Sequence, residues 1–267
     1  VLTTGANSGI GLASVLELAR RGFRSVGTVR SDAKGDHVAE AAREVGVSVE
    51  TVLLDVTDAD GCARVIDLYR PDALVNNAGY SITGSVEDVS DKEALAALET
   101  MVLAPARLAR LAIPHMRARG GGRVVNISSV YGRASTPLTG WYQGAKHALE
   151  GLSDALRMEV ARDGIRVILI EPGGFRTGIW QETEDEIAKR TGSRYDDAYR
   201  RTLDVTRLWQ PLMGDPVRCA RVIGTALTSR LPRARYLVGH DARALAVWSS
   251  LTPTEVKDRI TRLVMAL

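Results

Sequence analysis

Cysteine and histidine are scarce in this 267-residue chain, and their scarcity removes whole classes of chemistry. Cys62 and Cys219 form no spaced pair, and His37, His115, His147 and His240 lie far apart. Neither a disulfide framework nor a metal motif can be read from them, and a reducing compartment is favoured. No apolar run approaches the ~18 residues of a membrane span and no signal peptide is visible, so the chain reads as soluble and cytoplasmic. A charge excess is missing too. The net charge of +3 is too small to imply a nucleic-acid partner. Lysine is rare: only Lys34, Lys92, Lys146, Lys189 and Lys257 occur among 35 basic residues.

What is present is ordinary for a globular protein, with 45% apolar and 25% charged residues. The length suits one large domain or two small ones. Val1-Leu2-Thr3-Thr4 reads as the end of a strand, short enough to expect a few residues before Val1. Gly5-Ala6-Asn7-Ser8-Gly9-Ile10-Gly11 follows at once, and then a helix with apolar residues at Leu12, Val15, Leu16 and Leu18. A strand, a three-glycine turn and a helix N-terminus make a phosphate-binding arrangement. The glycines allow close backbone approach, and the helix end offers free N–H groups and a positive dipole.

The next strand ends at Val29-Arg30, the position that faces the adenosine ribose in a dinucleotide fold. An acid there suits the ribose hydroxyls of NAD, and a cation the 2′-phosphate of NADP. Arg30 therefore favours NADP(H); the alternative is a plain surface arginine, and Asp32 lies close by. A helix is expected over 37–45, a strand over 47–54 ending at Asp55-Val56, a helix over 59–69, and a short buried strand, Ala73-Leu74-Val75, before Asn76-Asn77-Ala78-Gly79. The apolar pattern over 92–119 is long, and Pro105 and Pro114 predict a kink or break in it. A strand over 123–127 then delivers Ser128-Ser129 at its C-terminal end, where open α/β sheets bind ligands.

Trp141-Tyr142-Gln143-Gly144-Ala145-Lys146 opens the following helix. Tyr142 and Lys146 then share a face, with about 5–6 Å between their Cβ atoms. An ammonium at that range favours the phenolate, so Tyr142 can exchange protons nearer neutral pH than a free tyrosine. A coincidence on a solvated helix is the plain alternative. A strand over 165–170 meets Glu171-Pro172-Gly173-Gly174. The pattern weakens over 175–214, read as one or two short helices covering a substrate site or as a structural insertion. A helix from Asp215-Pro216 to about 229, a strand at Tyr236-Leu237-Val238-Gly239 and helical packing from 242 complete the chain. Regular alternation without repeats predicts a single α/β domain over 1–267, one doubly wound parallel sheet with helices on both faces.

Four motifs together resemble the short-chain dehydrogenase/reductase family. They are Thr4-Gly5-Ala6-Asn7-Ser8-Gly9-Ile10-Gly11; Asn76-Asn77-Ala78-Gly79; Ser129, thirteen residues before Tyr142, with Lys146; and Pro172-Gly173 followed by Thr177. The likeness spans nearly the whole chain. The stretches around 115–119 and 235–239 look, more weakly, like members acting on steroids, retinoids or related lipid-like alcohols. The resemblance implies a Rossmann fold and hydride transfer between a nicotinamide and a carbonyl or alcohol carbon. Tyr142 would be general acid or base, Lys146 would hold the nicotinamide ribose and lower the Tyr142 pKa, and Ser129 would stabilise the substrate oxygen. Ser8 and Arg30 would bind the 2′-phosphate, Asp55 and Val56 the adenine, and Asn77-Ala78-Gly79 the adenosine-side ribose and nearby backbone. Gly5, Asn7, Gly9, Ile10 and Gly11 belong to the phosphate turn, and Pro172, Gly173 and Thr177 to the nicotinamide end. A homodimer or homotetramer is expected from the family.

One position departs. Members usually carry an Asn about 28 residues before the serine, where it holds a water in a proton relay to the lysine; here that position is Met101. Methionine cannot supply an amide's hydrogen bonds. Either backbone groups at a kink hold the water, or proton delivery is impaired. A cofactor-binding sensor or scaffold that turns nothing over is the competing class of function, and an internal isomerisation with tightly held cofactor a third possibility.

Overall fold

The computed structural model describes residues 1–265 and 267, and its centre is a seven-stranded sheet. The strands are β1 (Leu2–Thr3), β2 (Val26–Val29), β3 (Glu50–Leu53), β4 (Ala73–Asn76), β5 (Gly122–Ile127), β6 (Ile165–Pro172) and β7 (Arg235–Val238). Their order is β3-β2-β1-β4-β5-β6-β7, and every pairing is parallel. Strand order reverses between β1 and β4, which opens a crevice at their C-terminal ends.

Successive strand residues point to opposite faces, and both faces are covered, so the strands read as near-continuous apolar runs. Leu2, Leu74, Val124 and Val167 point to one side. There they meet Cys62 and Ile66 of α3 (Ala59–Tyr69), and Leu108 and Met116 of α5 (Ala104–Ala118). Their neighbours Val75, Val125 and Ile168 point the other way, to Leu18 of α1 (Gly9–Arg20) and Ile223 of α9 (Pro216–Thr228).

Three differences from the sequence reading have local causes. Helix α2 (Asp32–Glu44) starts five residues early: the Ser31 carbonyl accepts its first backbone bond, from Gly35 N at 3.1 Å, and Asp32 in the first turn complements its dipole. The long apolar pattern is α4 (Asp91–Leu98) and α5, joined by a π-helical turn over Glu99–Leu103. The break thus precedes Pro105, which sits harmlessly in the first turn of α5, and Pro114 lies inside that helix without ending it. Strand β6 runs two residues further than expected and carries Glu171 into the interior, where it is 0% exposed.

The weakly patterned segment contains α7 (Ile179–Ala188), α8 (Asp196–Trp209) and a 3₁₀ turn over Gln210–Leu212. It is pinned to the loop and helix start over 81–93. Arg190 Nη2 meets Glu93 Oε1 at 2.6 Å, and Tyr199 Oη donates to Asp88 Oδ2 at 2.7 Å. Helices α10 (His240–Leu251) and α11 (Thr254–Met265) follow β7.

Candidate active site

The glycine turn is built by backbone geometry and one amide. Gly5 (φ +66°) and Gly9 (φ +52°) take left-handed conformations. A side chain on Gly11 would begin 2.1 Å from Gly5 O and 2.5 Å from Asn77 Nδ2, so no larger residue fits. Asn77 Nδ2 donates to Thr4 O (2.9 Å) and Gly5 O (3.1 Å). Thr4 Oγ1 in turn accepts from Asn77 N (2.9 Å) and Ala78 N (3.0 Å). The two motifs are one object, with the end of β4 clamped to the turn after β1. Ser8 caps α1 in extended conformation without a side-chain cap bond, and no acid occupies the first turn. Its hydroxyl and the first-turn N–H groups are thus available to an anion, and the turn fits a pyrophosphate.

The other expected cofactor residues divide. Arg30 is exposed immediately beyond β2, close enough to Asp55 for its charge to help hold that carboxyl down. The larger causes there are the hydrogen bonds from Thr57 N (2.9 Å) and Thr57 Oγ1 (2.7 Å). Asn7 is half-buried in the turn and Gly79 is exposed just beyond it. Val56 and Ile10 turn their side chains into the core on opposite faces of the sheet, so any contact to a ligand there is through backbone. At the end of β6, Gly173 N donates to Val238 O at 2.9 Å. The loop after Pro172 then brings Thr177 so near the glycine turn that a side chain on Gly9 would begin 3.0 Å from Thr177 Cγ2. Asn76 is engaged within the sheet, where its amide joins β4 to β5 through Asn126 Oδ1 at 2.8 Å.

Ser129, Tyr142 and Lys146 converge beyond the C-terminal ends of β4 and β5. Ser129 is buried and caps a 3₁₀ turn over Val130–Gly132, its Oγ accepting from Tyr131 N at 3.2 Å. Tyr142 lies in the first turn of α6 (Gly140–Glu159) and is half-buried. Lys146 is buried one turn on; its Nζ donates to Ile127 O at 2.9 Å and stands 5.6 Å from the Tyr142 ring centroid.

The protonation states run against the sequence reading. Burial pushes the Tyr142 phenol up to about 12, with the Ser129 hydroxyl as the group that pulls it down. Burial also pushes Lys146 down to about 8, partly opposed by Glu150. Desolvation favours both neutral forms, and it outweighs the ammonium–phenol attraction that four-residue spacing suggests.

Four nearby residues escaped the sequence reading. Tyr131 lies close enough to Tyr142 to raise its pKa further. Asp241 Oδ2 accepts from Gly174 N at 2.5 Å, at the loop that follows Pro172-Gly173. Glu150 and Glu171 are buried polar residues behind Lys146. Only Glu150 carried a signal, one further helical turn along the face of Tyr142 and Lys146. Met101 occupies the π-helical turn, 1% exposed, with its Sδ 3.6 Å from where a side chain on Gly79 would begin. Among the described residues, no helix is long and apolar enough to cross a membrane.

The chain is similar to known proteins. Residues 1–188 match the short chain dehydrogenase family. The oxidoreductase YusZ of Bacillus subtilis, itself uncharacterized, is 32% identical over 98% of this chain and 96% of its own length. Retinol dehydrogenase 7 of Rattus norvegicus is 30% identical over 97% of this chain and 86% of its own. A short-chain dehydrogenase of Streptomyces avermitilis superposes with a TM-score of 0.79 at 33% identity, covering 98% of this chain and 94% of that one. A family match that takes in the glycine turn, Ser129, Tyr142 and Lys146, with relatives aligned almost end to end, makes this chain a member of the short-chain dehydrogenase/reductase family, oxidoreductases that bind a nicotinamide cofactor.

Proposed function

We propose that the protein is an NADP(H)-dependent oxidoreductase that interconverts a carbonyl and a secondary alcohol. The observation that carries this reading is Ser129, Tyr142 and Lys146 gathered at the sheet edge beside a turn that fits a pyrophosphate. When bound, NADP(H) supplies or accepts the hydride. Tyr142 Oη gives a proton to the substrate oxygen in reduction and takes it back in oxidation. Ser129 Oγ hydrogen-bonds the same oxygen as negative charge develops. Lys146 Nζ holds the nicotinamide ribose hydroxyls. A phenol pushed up to about 12 rests protonated, so the resting site is set as a proton donor.

Arg30 and the uncommitted Ser8 hydroxyl hold the 2′-phosphate, and this pair makes NADP(H) the preferred cofactor over NAD(H). Gly5, Asn7, Gly9, Ile10 and Gly11 receive the pyrophosphate. Asp55 and Val56 border the adenine, Asn77, Ala78 and Gly79 the adenosine-side ribose, and Pro172, Gly173 and Thr177 the nicotinamide end. The chain works as one dinucleotide-binding domain, with residues 175–214 as substrate cover. A lipid-like alcohol or ketone is the substrate class favoured by the likeness to retinol dehydrogenase 7. Exposed Leu95 and Leu103, with Leu152 and Met158 on α6, give apolar surface on which copies associate as a homodimer or homotetramer.

The test is nicotinamide absorbance across a panel of carbonyls and alcohols, with Tyr142→Phe as the control that must lose activity. One observation, buried Met101, favours a second reading as a non-catalytic NADP(H)-binding sensor or scaffold. Clear NADPH binding without consumption of any panel member selects that reading.

A further inference from the structure

Behind Lys146 the same face of α6 continues to Glu150, so Tyr142, Lys146 and Glu150 follow one another at four-residue spacing. Arg235 Nε stands 3.1 Å from Glu150 Oε2 and 3.2 Å from Glu171 Oε1, joining two buried carboxyls on different elements. Arg133 Nε reaches Glu171 Oε2 at 2.9 Å. Despite these ion-pair distances, neither Glu171 oxygen accepts an aligned hydrogen bond. Glu150 Oε1 and Ser128 Oγ are also buried without a hydrogen-bonding partner. Both border one glycine: a side chain on Gly132 would begin 3.2 Å from Glu150 Oε1 and 2.7 Å from Ser128 Oγ. Two orphaned oxygens beside the same glycine are groups that a bridging water would satisfy. The residue before Ser128 is Ile127, whose carbonyl holds Lys146 Nζ.

Resting on the carbonyl–alcohol chemistry above, we propose that Glu171 and Glu150 form a buried proton store that resupplies Lys146 through a water held between Glu150 Oε1 and Ser128 Oγ. In reduction, Tyr142 Oη loses its proton to the substrate oxygen and becomes phenolate. Lys146 Nζ returns a proton to that phenolate and becomes a neutral amine. The amine recovers a proton through the water from the carboxyl pair, and the pair is refilled from solvent on the side of Glu150, which keeps 7% of its surface exposed while Glu171 keeps none. One proton enters for each one delivered to the alcohol; oxidation runs the sequence backwards. This route leaves Met101 aside. Burial pushes the Glu171 carboxyl up and the charge of Glu150 pushes it further, against the pull of Arg133 and Arg235. The other charges around the pair are Lys146, Asp154 and Arg157 on α6.

Glu150→Gln removes the titrating oxygen while keeping its shape. With NADPH and a carbonyl that the wild type reduces, kcat should fall roughly tenfold or more and its pH profile should change. The solvent deuterium isotope effect on kcat should rise, while KM and the NADPH dissociation constant stay within about twofold. An unchanged kcat and isotope effect overturns the proposal, as does a proportionate loss of activity and Tm with the pH profile intact. Infrared spectroscopy of the full chain without cofactor gives an independent readout. A protonated-carboxyl stretch near neutral pH that Glu171→Gln abolishes supports the store, and its absence from the wild type refutes it. This second readout needs no turnover. A wild type that shows the stretch but reduces nothing defeats the proposed function, not the proton store.

Discussion

Lys146 faces the Tyr142 ring, its Nζ 5.6 Å from the centroid, yet commits its hydrogen bond to the carbonyl of Ile127. The two side chains are held together by helix spacing and by β5, and the same burial pushes the phenol up to about 12 and the ammonium down to about 8, so near pH 7 both still carry their protons. Removing the phenol oxygen therefore strips the proton donor without dismantling its neighbours. Tyr142→Phe should lower kcat by roughly a hundredfold to ten-thousandfold, the range a positioned general acid supplies. The NADPH dissociation constant, read by fluorescence, should hardly move.

The lysine also leaves a mark on stability. Its pKa is about 8 in the fold against 10.5 unfolded. Below pH 8 both states are protonated, and the fold carries the full penalty of a buried ammonium. Between about 8 and 10.5 the unfolded chain binds more protons, so stability rises with pH; above 10.5 the penalty is gone. Lys146→Met leaves the Ile127 carbonyl unpaired, a loss of about 1 kcal/mol. It should still raise the Tm at pH 7, and its advantage over wild type should shrink as pH is raised to 10.5.

Arg30 makes no ion pair among the described residues and sits exposed beyond β2. A charge-assisted bond to a phosphate contributes about 1.5–3 kcal/mol, so Arg30→Ala should weaken NADPH roughly tenfold to a hundredfold. NADH, which lacks that phosphate, should bind as before. Equal losses for both cofactors, measured by calorimetry, would remove Arg30 from the 2′-phosphate site.

Gly11→Ala puts a methyl 2.1 Å from Gly5 O and 2.5 Å from Asn77 Nδ2, against backbone on one side and a doubly bonded amide on the other. Neither neighbour can swing away. The helix must shift, and a loss of both Tm and NADPH affinity is expected, each read by thermal shift with and without cofactor.

Met101→Asn restores the residue type usual at the centre of the π-helical turn. With protons reaching Lys146 from Glu150, turnover should stay within about twofold of wild type. The Tm should fall, because an amide replaces a 1% exposed thioether among apolar neighbours, and an unpaired buried polar group costs about 1–3 kcal/mol. A large rise in kcat would show that the usual relay had been the missing part.

Much of this fold was legible because its signals are local. Strand runs, glycine punctuation and the 3.6-residue periodicity of α1 and α6 located the sheet and the edge at which Ser129, Tyr142 and Lys146 meet. The π-helical turn was not, since no residue type encodes it and the prolines pointed elsewhere. Nor was the role of desolvation at Tyr142, because spacing gives distance on a helix and says nothing of what lies overhead. Glu171 reads as a strand-end residue beside Pro172, and Arg235 comes 64 positions later. Their meeting depends on β6 pairing with β7, a fact of topology that no window of sequence contains.

The Asn77 clamp on the glycine turn has a thermodynamic corollary. Both its N–H donors and the Thr4 hydroxyl are committed within the protein, so the turn loses its conformational freedom during folding and not during binding. The ordering cost that weakens association at floppy loops is small here. Titration heats for a nicotinamide dinucleotide should accordingly reflect contacts made with the ligand, with little entropy lost by the receptor. Substitution of Asn77 would show up first as a more unfavourable binding entropy.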